Sequence, residues 1–540
     1  MRFPVLPRSP SSVGISWLIA FTALNFTVLY NQAFFSNAWQ VYGASTKDWP
    51  FLLSLGVLLF AATLLVLSLL CIRFLTKPVL ILVTLLAAAA SHYMRQYNIV
   101  IDPTMVSNVL ETDSREITDL LSPQLLLRFC VFGLLPAWLL WRTRVTCTTF
   151  AREVRNRLGL IAFALLLAVG AIAPFSAQYA GFFREHKLLR YYANPANVVY
   201  ALVASLQDFL TPAAYAKPQA LGTGAHIPAS DLDRELIIVV VGETSRADHW
   251  SLNGYGRETM PRLSAESVIT LPDFWSCGTA TAWSVPCLFS NLGHDRFEPE
   301  DALSTENVLD VLQHAGISVL WRDNNSDSKG VATRVPYEDF RSPEHNPTCD
   351  VECRDVGMLA GLDDWIAAHP EGDLTIVLHQ MGNHGPAYFK RYPAEFARFQ
   401  PECRSTELAS CSRQEIINSY DNALLYTDFF LAETIRFLKS HDDRFETALL
   451  YVSDHGESLG ENGLYLHGLP YALAPEAQKH VAGLLWFGDG YRIDRQRVVD
   501  NTRGRTSHDD VFHTVLGLME VQTPEYDPAR DWLRDAHHSP

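Results

Sequence analysis

The chain is predicted to fold as an α-helical membrane anchor joined to an α/β domain with a mainly parallel central sheet. Three observations carry this expectation. Five apolar runs of transmembrane length lie in the first third of the 540 residues. From Glu235 onward, short β-branched runs alternate with helical stretches. The charge divides with the two patterns: residues 1–180 hold 13 Lys and Arg against 7 Asp and Glu, and the remainder holds 30 against 52. The net charge of -16 and the mean hydropathy of +0.04 are therefore averages over two unlike parts. The acid excess argues against nucleic acid as a partner, because phosphate neutralisation needs clustered Lys and Arg.

A bilayer core about 30 Å thick needs about 20 apolar residues in a helix. Gly14–Phe35, Phe51–Ile72, Val79–Tyr97, Gln124–Trp141 and Leu158–Gln178 meet that length. A buried helix of a soluble core would explain one isolated run, but not five with short connectors. A cleaved signal peptide would not be followed by further spans. Arg73 and Lys77 lie between the second and third runs, and Arg142, Arg144, Arg152, Arg155 and Arg157 between the fourth and fifth. The connector between the third and fourth is acidic, with Asp102, Glu111, Asp113, Glu116 and Asp119. The positive-inside rule puts the basic connectors, and an N-terminus bearing Arg2 and Arg8, in the cytoplasm. Five crossings then carry everything after about Gln178 outside, which in a Gram-negative cell is the periplasm. The expected organisation is a five-helix transmembrane domain over 1–180, an interfacial helix and linker over 181–235, and a periplasmic catalytic domain over 236–540. Within the connector, Arg184–Ala204 mixes basic, aromatic and apolar residues and is interrupted at Asn194-Pro195. Thr211–Asp231 has linker composition, and a surface crossover without membrane contact suits it equally.

Cys71, Cys130 and Cys147 lie in or beside the spans and are expected as free thiols. The other six cysteines form close pairs: Cys277/Cys287, Cys349/Cys353 and Cys403/Cys411. Even numbers at short spacing suit disulfides in an oxidising compartment. A zinc–thiolate site is the rival, and it lacks a CxxC pair.

In the second part, Leu236–Val241, Ile317–Trp321, Leu374–His379, Ala448–Val452 and Val481–Trp486 read as buried strands. Glu306–His314, Val356–Ala368 and Gln414–Lys439 read as helices between them. Open α/β sheets place their sites beyond the carboxyl ends of the strands. There the sequence delivers Glu243, His379 to His384, and Asp454 with His455, with His467 further on. Carboxylates and imidazoles together suit zinc. Taken singly, Glu243 is also a helix-cap neighbour, Asp454-His455 an exposed turn, and His379 a donor that orients a ligand. Between Cys277 and Cys287 lies a hydroxyl-rich loop before a helix. Thr279, Thr281 or Ser284 either caps that helix or supplies a hydroxyl that ionises and attacks phosphorus.

Several segments resemble the phosphoethanolamine transferases, including the lipid A enzymes of polymyxin resistance. They are Gly242 to His249, Ser251 to Tyr255, Cys277 to Thr281, Ser284 to Cys287, Asp323 to Lys329, Gln380 to Pro386 and Ser453 to Glu461. The resemblance implies an alkaline-phosphatase/sulfatase-like fold, one or more zinc ions, and Thr281 as nucleophile. It places Glu243, Thr281, Asp454 and His455 around the principal zinc, and His384 and His467 near a second metal or the incoming phosphate. Asn325 and Lys329 match residues contacting phosphoethanolamine. Asn108, Thr112 and Glu116 match lipid-side positions, and the cysteine pairs match the family's disulfides.

The implied reaction moves phosphoethanolamine from phosphatidylethanolamine to a phosphate of lipid A in lipopolysaccharide, through a phosphothreonine-type intermediate. The implied setting is the inner membrane, with the enzyme a monomer. Transfer to core heptose or the inner acidic sugar, and phosphoglycerol transfer, are the alternatives. The Met381 to Pro386 segment and the Cys403/Cys411 pair look closest to the lipid A group. A sulfatase is disfavoured because Thr281 is followed by Ala-Trp-Ser-Val, not by the Pro and Arg that sulfatases carry after their nucleophile. The complete nucleophile and ligand set also disfavours a non-catalytic scaffold that binds lipopolysaccharide.

Overall fold

The computed structural model describes residues 12–43, 48–72, 74–111, 114–146, 148–210 and 218–537. Arg2, Arg8, Arg73, Thr112, Asp113, Cys147 and part of the linker lie outside these residues, as do the side chains of Glu111 and Glu116. The chain divides into two compact units, Met1–Ser107 with Leu121–Leu210, and Asn108–Leu120 with Thr211–Pro540.

Among the described residues of the first unit, four helices are long and apolar enough to cross a membrane: Trp49–Leu70 (α3), Thr76–Tyr97 (α4), Pro123–Arg142 (α5) and Phe150–Ala180 (α6). The first expected span is different. Its residues fall in two helices, Ile15–Leu29 (α1) and Gln32–Tyr42 (α2), bent by 53°. Asn31 sits at the break. Its Nδ2 donates to the Phe26 carbonyl at 2.9 Å, and its Oδ1 accepts from the Asn194 amide at 2.9 Å. Asn194 Nδ2 in turn donates to the carbonyls of Tyr30 at 3.2 Å and Ala87 at 2.9 Å. Side-chain amides thus compete with the helical ladder and satisfy carbonyls that lipid could not. The helix Ala196–Leu210 (α7) starts just beyond the Asn194-Pro195 interruption.

The second unit is built on a seven-stranded sheet. Its strands in chain order are Glu235–Gly242 (β1), Ile269–Thr270 (β2), Ser318–Asp323 (β3), Tyr337–Asp339 (β4), Leu374–His379 (β5), Glu446–Ser453 (β6) and Gly483–Phe487 (β7). The spatial order is β2-β7-β6-β1-β5-β3-β4. Pairings from β6 across to β4 are parallel, and β7 runs antiparallel to both its neighbours. All eight residues of β1 are buried, which is why it reads as a continuous apolar run. The expected strand Val481–Trp486 shifts because Val481 pairs with Phe274 in a separate three-stranded sheet. The expected helix Val356–Ala368 breaks at Gly361, whose φ of +72° ends one turn and starts Leu362–Ala368. The long helix Arg413–Lys439 (α9) opens with a Ser412/Glu415 capping box.

Candidate functional site

Register brings the strand ends together. Gly242 pairs with Ser453, and Val241 with His379, so Glu243, Asp454 and Gln380 leave adjacent parallel strands at one edge. Glu243, Asp454 and His455 are fully buried and present ligand atoms within 4.8 Å of one another, the one such group among the described residues. His455 Nε2 lies 3.5 Å from Glu243 Oε1 and 3.3 Å from Asp454 Oδ2. Its Nδ1 donates to the Gly456 carbonyl at 3.0 Å, which leaves the Nε2 lone pair facing the carboxylates. Thr244 and His455 amides donate to Asp454 Oδ1 at 3.2 and 2.7 Å. By contrast, Glu243 Oε1 and Asp454 Oδ2 accept no hydrogen bond.

Two buried, orphaned carboxylate oxygens beside an imidazole lone pair fit a divalent cation. The electrostatics agree. Burial and the adjacent Asp454 carboxylate push the Glu243 pKa well above the usual carboxyl range, and burial raises Asp454. Burial, then His467, pushes His455 well below the usual imidazole range. A cation would offset the carboxylate repulsion and stabilise the neutral imidazole as a ligand.

Thr281 reaches this cluster from a helix rather than from a strand end. It is the first residue of the helix Thr281–Leu288 (α8), whose first-turn amides are oriented to receive an anion. Its Oγ1 donates to Glu243 Oε2 at 3.2 Å and lies 3.2 Å from His455 Nε2. No side chain caps α8, so Thr279, Thr281 and Ser284 are not its cap. Thr279 instead donates to the Leu469 carbonyl at 2.6 Å and ties this loop to the one carrying His467.

The remaining sequence candidates divide. Asn325 is buried, and its Nδ2 donates to Glu243 Oε2 at 2.8 Å and to the Gln380 carbonyl at 2.9 Å. His467 packs 4.1 Å from His455 and 6.0 Å from His384, ring centre to ring centre, so three imidazoles form a row. Lys329 is half-buried on the loop after β3, with φ of +51°. Asn108 begins the segment that packs with the second unit. Thr112 and the Glu116 side chain lie outside the described residues. Disulfides join Cys277 to Cys287, Cys349 to Cys353 and Cys403 to Cys411. Cys71 and Cys130 are free thiols.

Several supporting residues have no signal in the sequence. His508 is fully buried. It accepts from the Cys277 amide at Nδ1 (3.1 Å) and donates from Nε2 to the Ser453 carbonyl (2.9 Å). One neutral imidazole thus links the loop that carries Thr281 to the strand end that carries Asp454. Asp355, also buried, accepts from the Met381 and Gly382 amides at 2.8 and 3.2 Å. That arrangement holds Gly382 at φ +49°, against the Glu243 backbone, where a Cβ would sit 3.0 Å from Glu243. Asp323 accepts from His379 Nδ1 at 2.9 Å and from the Asn325 amide at 2.9 Å.

Residues 235–521 match the sulfatase family model, and residues 59–209 match the model described as phosphoethanolamine transferase EptA/EptB. Phosphatidylethanolamine transferase Mcr-1 of Escherichia coli is 44% identical over 524 residues, covering 94% of this chain and 96% of its own. Phosphoethanolamine transferase EptA of Escherichia coli K12 is 39% identical over 542 residues, 98% of each chain. The integral membrane lipooligosaccharide phosphoethanolamine transferase A from Neisseria meningitidis superposes with a TM-score of 0.92 at 34% identity, covering 98% of this chain and all 100% of that one. A sulfatase-like domain behind apolar helices, with matches of this length across both, settles the family: the chain belongs to the phosphoethanolamine transferases.

Proposed function

We propose that the chain transfers phosphoethanolamine from phosphatidylethanolamine to a phosphate of lipid A, with Thr281 as nucleophile. One observation carries the reading: the Thr281 hydroxyl lies within hydrogen-bond reach of both Glu243 and His455 in a cluster whose facing carboxylate oxygens are otherwise unpaired. Glu243, Asp454 and His455, with Thr281, are the residues that would hold zinc. Bound there, zinc supplies Lewis acidity and lowers the pKa of a nearby hydroxyl.

The chain's own residues account for the rest. Thr281 Oγ1 already directs its proton at Glu243 Oε2. Its oxygen attacks the donor phosphorus as the bond to diacylglycerol breaks, leaving phosphoethanolamine on Thr281. His384 or His467 protonates the leaving alkoxide. Asn325 and Lys329 hold the phosphoethanolamine group, and the α8 amides face its phosphoryl oxygens. An oxygen of a lipid A phosphate then attacks the same phosphorus, and the bond to Thr281 breaks. The product carries an added amine, which weakens attraction of cationic peptides such as polymyxin.

The same reading sets an inner-membrane monomer with its N-terminus in the cytoplasm and its catalytic domain over 236–540 in the periplasm. The lipooligosaccharide in the name of the Neisseria relative supports an acceptor within lipopolysaccharide. Mass spectrometry of lipid A from cells expressing the chain tests the proposal. Added phosphoethanolamine is expected with the wild type and is lost with Thr281→Ala. Phosphoethanolamine found on a core sugar alone would move the acceptor, and a phosphoglycerol adduct would move the donor.

A further inference from the structure

Segment 108–120 lies in sequence between the apolar helices α4 and α5, yet it packs with the second unit. Within it, the helix Ser114–Leu120 presents Asp119, whose side chain is only 4% exposed. Both carboxylate oxygens are engaged. Oδ2 accepts from Arg391 Nη2 at 2.8 Å, and Oδ1 accepts from Lys390 Nζ. The Arg391 side chain is 2% exposed and uses its remaining edges just as fully. Nη1 donates to Glu352 Oε1, beside Cys353, and Nε donates to the backbone carbonyl of His384 at 2.7 Å.

One planar guanidinium therefore joins three separate pieces of chain: the segment between two spans, the short disulfide loop and the backbone of a candidate catalytic histidine. Two cations face two carboxylates, so the buried group is charge-balanced. A guanidinium suits this because its fork directs each N–H along a fixed line, whereas a lysine offers a point charge.

We propose that Arg391 and Asp119 are positioning residues for the transfer, Arg391 fixing the His384 backbone and Asp119 fastening segment 108–120 to the same guanidinium. That segment carries Asn108, Thr112 and Glu116, the candidate lipid-side residues. The link keeps a donor lipid held at Asn108 in register with His384, one of the two histidines proposed to protonate the leaving alcohol. It rests on the donor reading above.

The test uses the full chain in lipid nanodiscs with two donors. One is phosphatidylethanolamine in the bilayer. The other is soluble glycerophosphoethanolamine, which keeps the phosphodiester and an alkoxide leaving group but lacks acyl chains. Asp119→Asn is expected to raise KM for the bilayer donor on the order of 10-fold while leaving turnover of the soluble donor within about twofold. Asp119→Glu is expected to restore most of the loss. Arg391→Lys, which disturbs His384 directly, is expected to lower kcat on both donors on the order of 10-fold. An unchanged KM in Asp119→Asn overturns the proposal. So does equal slowing on both donors together with a lowered thermal midpoint, the mark of a purely structural ion pair. Failure of the donor reading itself shows separately, as transfer persisting in Thr281→Ala.

Discussion

Thr281, Glu243, Asp454 and His455 come from positions up to 212 residues apart; the sheet register brings Glu243 beside Asp454 and His455, and α8 brings Thr281 to them. Glu243 combines three features that rarely coincide in a structural carboxylate: full burial, a bond from the proposed nucleophile, and an oxygen with no partner among the described residues. Glu243→Ala is therefore expected to lose bound zinc and to cut transfer by on the order of 100-fold or more, read by metal analysis and by turnover. Wild-type zinc content with wild-type turnover would contradict the ligand assignment.

His508 gives a second prediction. Burial lowers its pKa to about 4. The usual imidazole value is about 6.5, so below it the unfolded chain takes up a proton that the folded chain refuses. The stability contribution is whole above about pH 6.5 and falls away as pH drops through about 4. The thermal midpoint should decline over that window, and His508→Gln should flatten the decline, because the amide can accept from Cys277 and donate to Ser453 without titrating. His508→Phe removes both bonds and should lower kcat with little change in KM. An unaltered pH slope in His508→Gln would show that this imidazole does not set it.

At the scale of elements, the sequence patterns that survive folding are those with one physical cause. β1, β5 and β6 were legible because a strand buried on both faces must be apolar throughout. Glu243 and Asp454-His455 were legible for the same reason, as polar residues where such runs end. The bend between α1 and α2 was not, because Asn31 breaks the ladder only with Asn194 beside it, 163 residues on. His508, Asp355 and Arg391 were likewise silent, since His508 and Asp355 act through backbone groups far away in sequence and Arg391 through the distant Asp119 side chain. Asp119 read only as one acid among several in a connector. The disulfide Cys277–Cys287 closes a separation of 10 residues around α8's first turn. Replacing both cysteines by Ser should cost about 3 kcal/mol or less in stability. It should cost turnover more heavily, because Thr281 loses its fixed approach. A midpoint shift with unchanged kcat would assign the bond to stability alone.

For the whole molecule, the opening charge contrast becomes a statement about two environments. Seven of the anchor's cations cluster in two connectors, and the acid excess belongs to the second unit, which carries the candidate site. On the proposed reaction, substrate capture is expected to depend on the bilayer and on local cations such as Lys329 more than on long-range attraction. Reporter fusions test the proposed orientation. A periplasm-dependent reporter should be active when fused near residue 230 and inactive when fused near residue 145. The reverse pattern would invert the topology.

The central claim is the covalent step, and peptide mass spectrometry tests it most directly. The purified full chain, supplied with phosphatidylethanolamine and no acceptor, should carry a phosphoethanolamine adduct on the peptide containing Thr281. The adduct should disappear when lipid A is added. A chain that turns over donor and acceptor with no adduct at Thr281, or with one at another residue, would contradict the account.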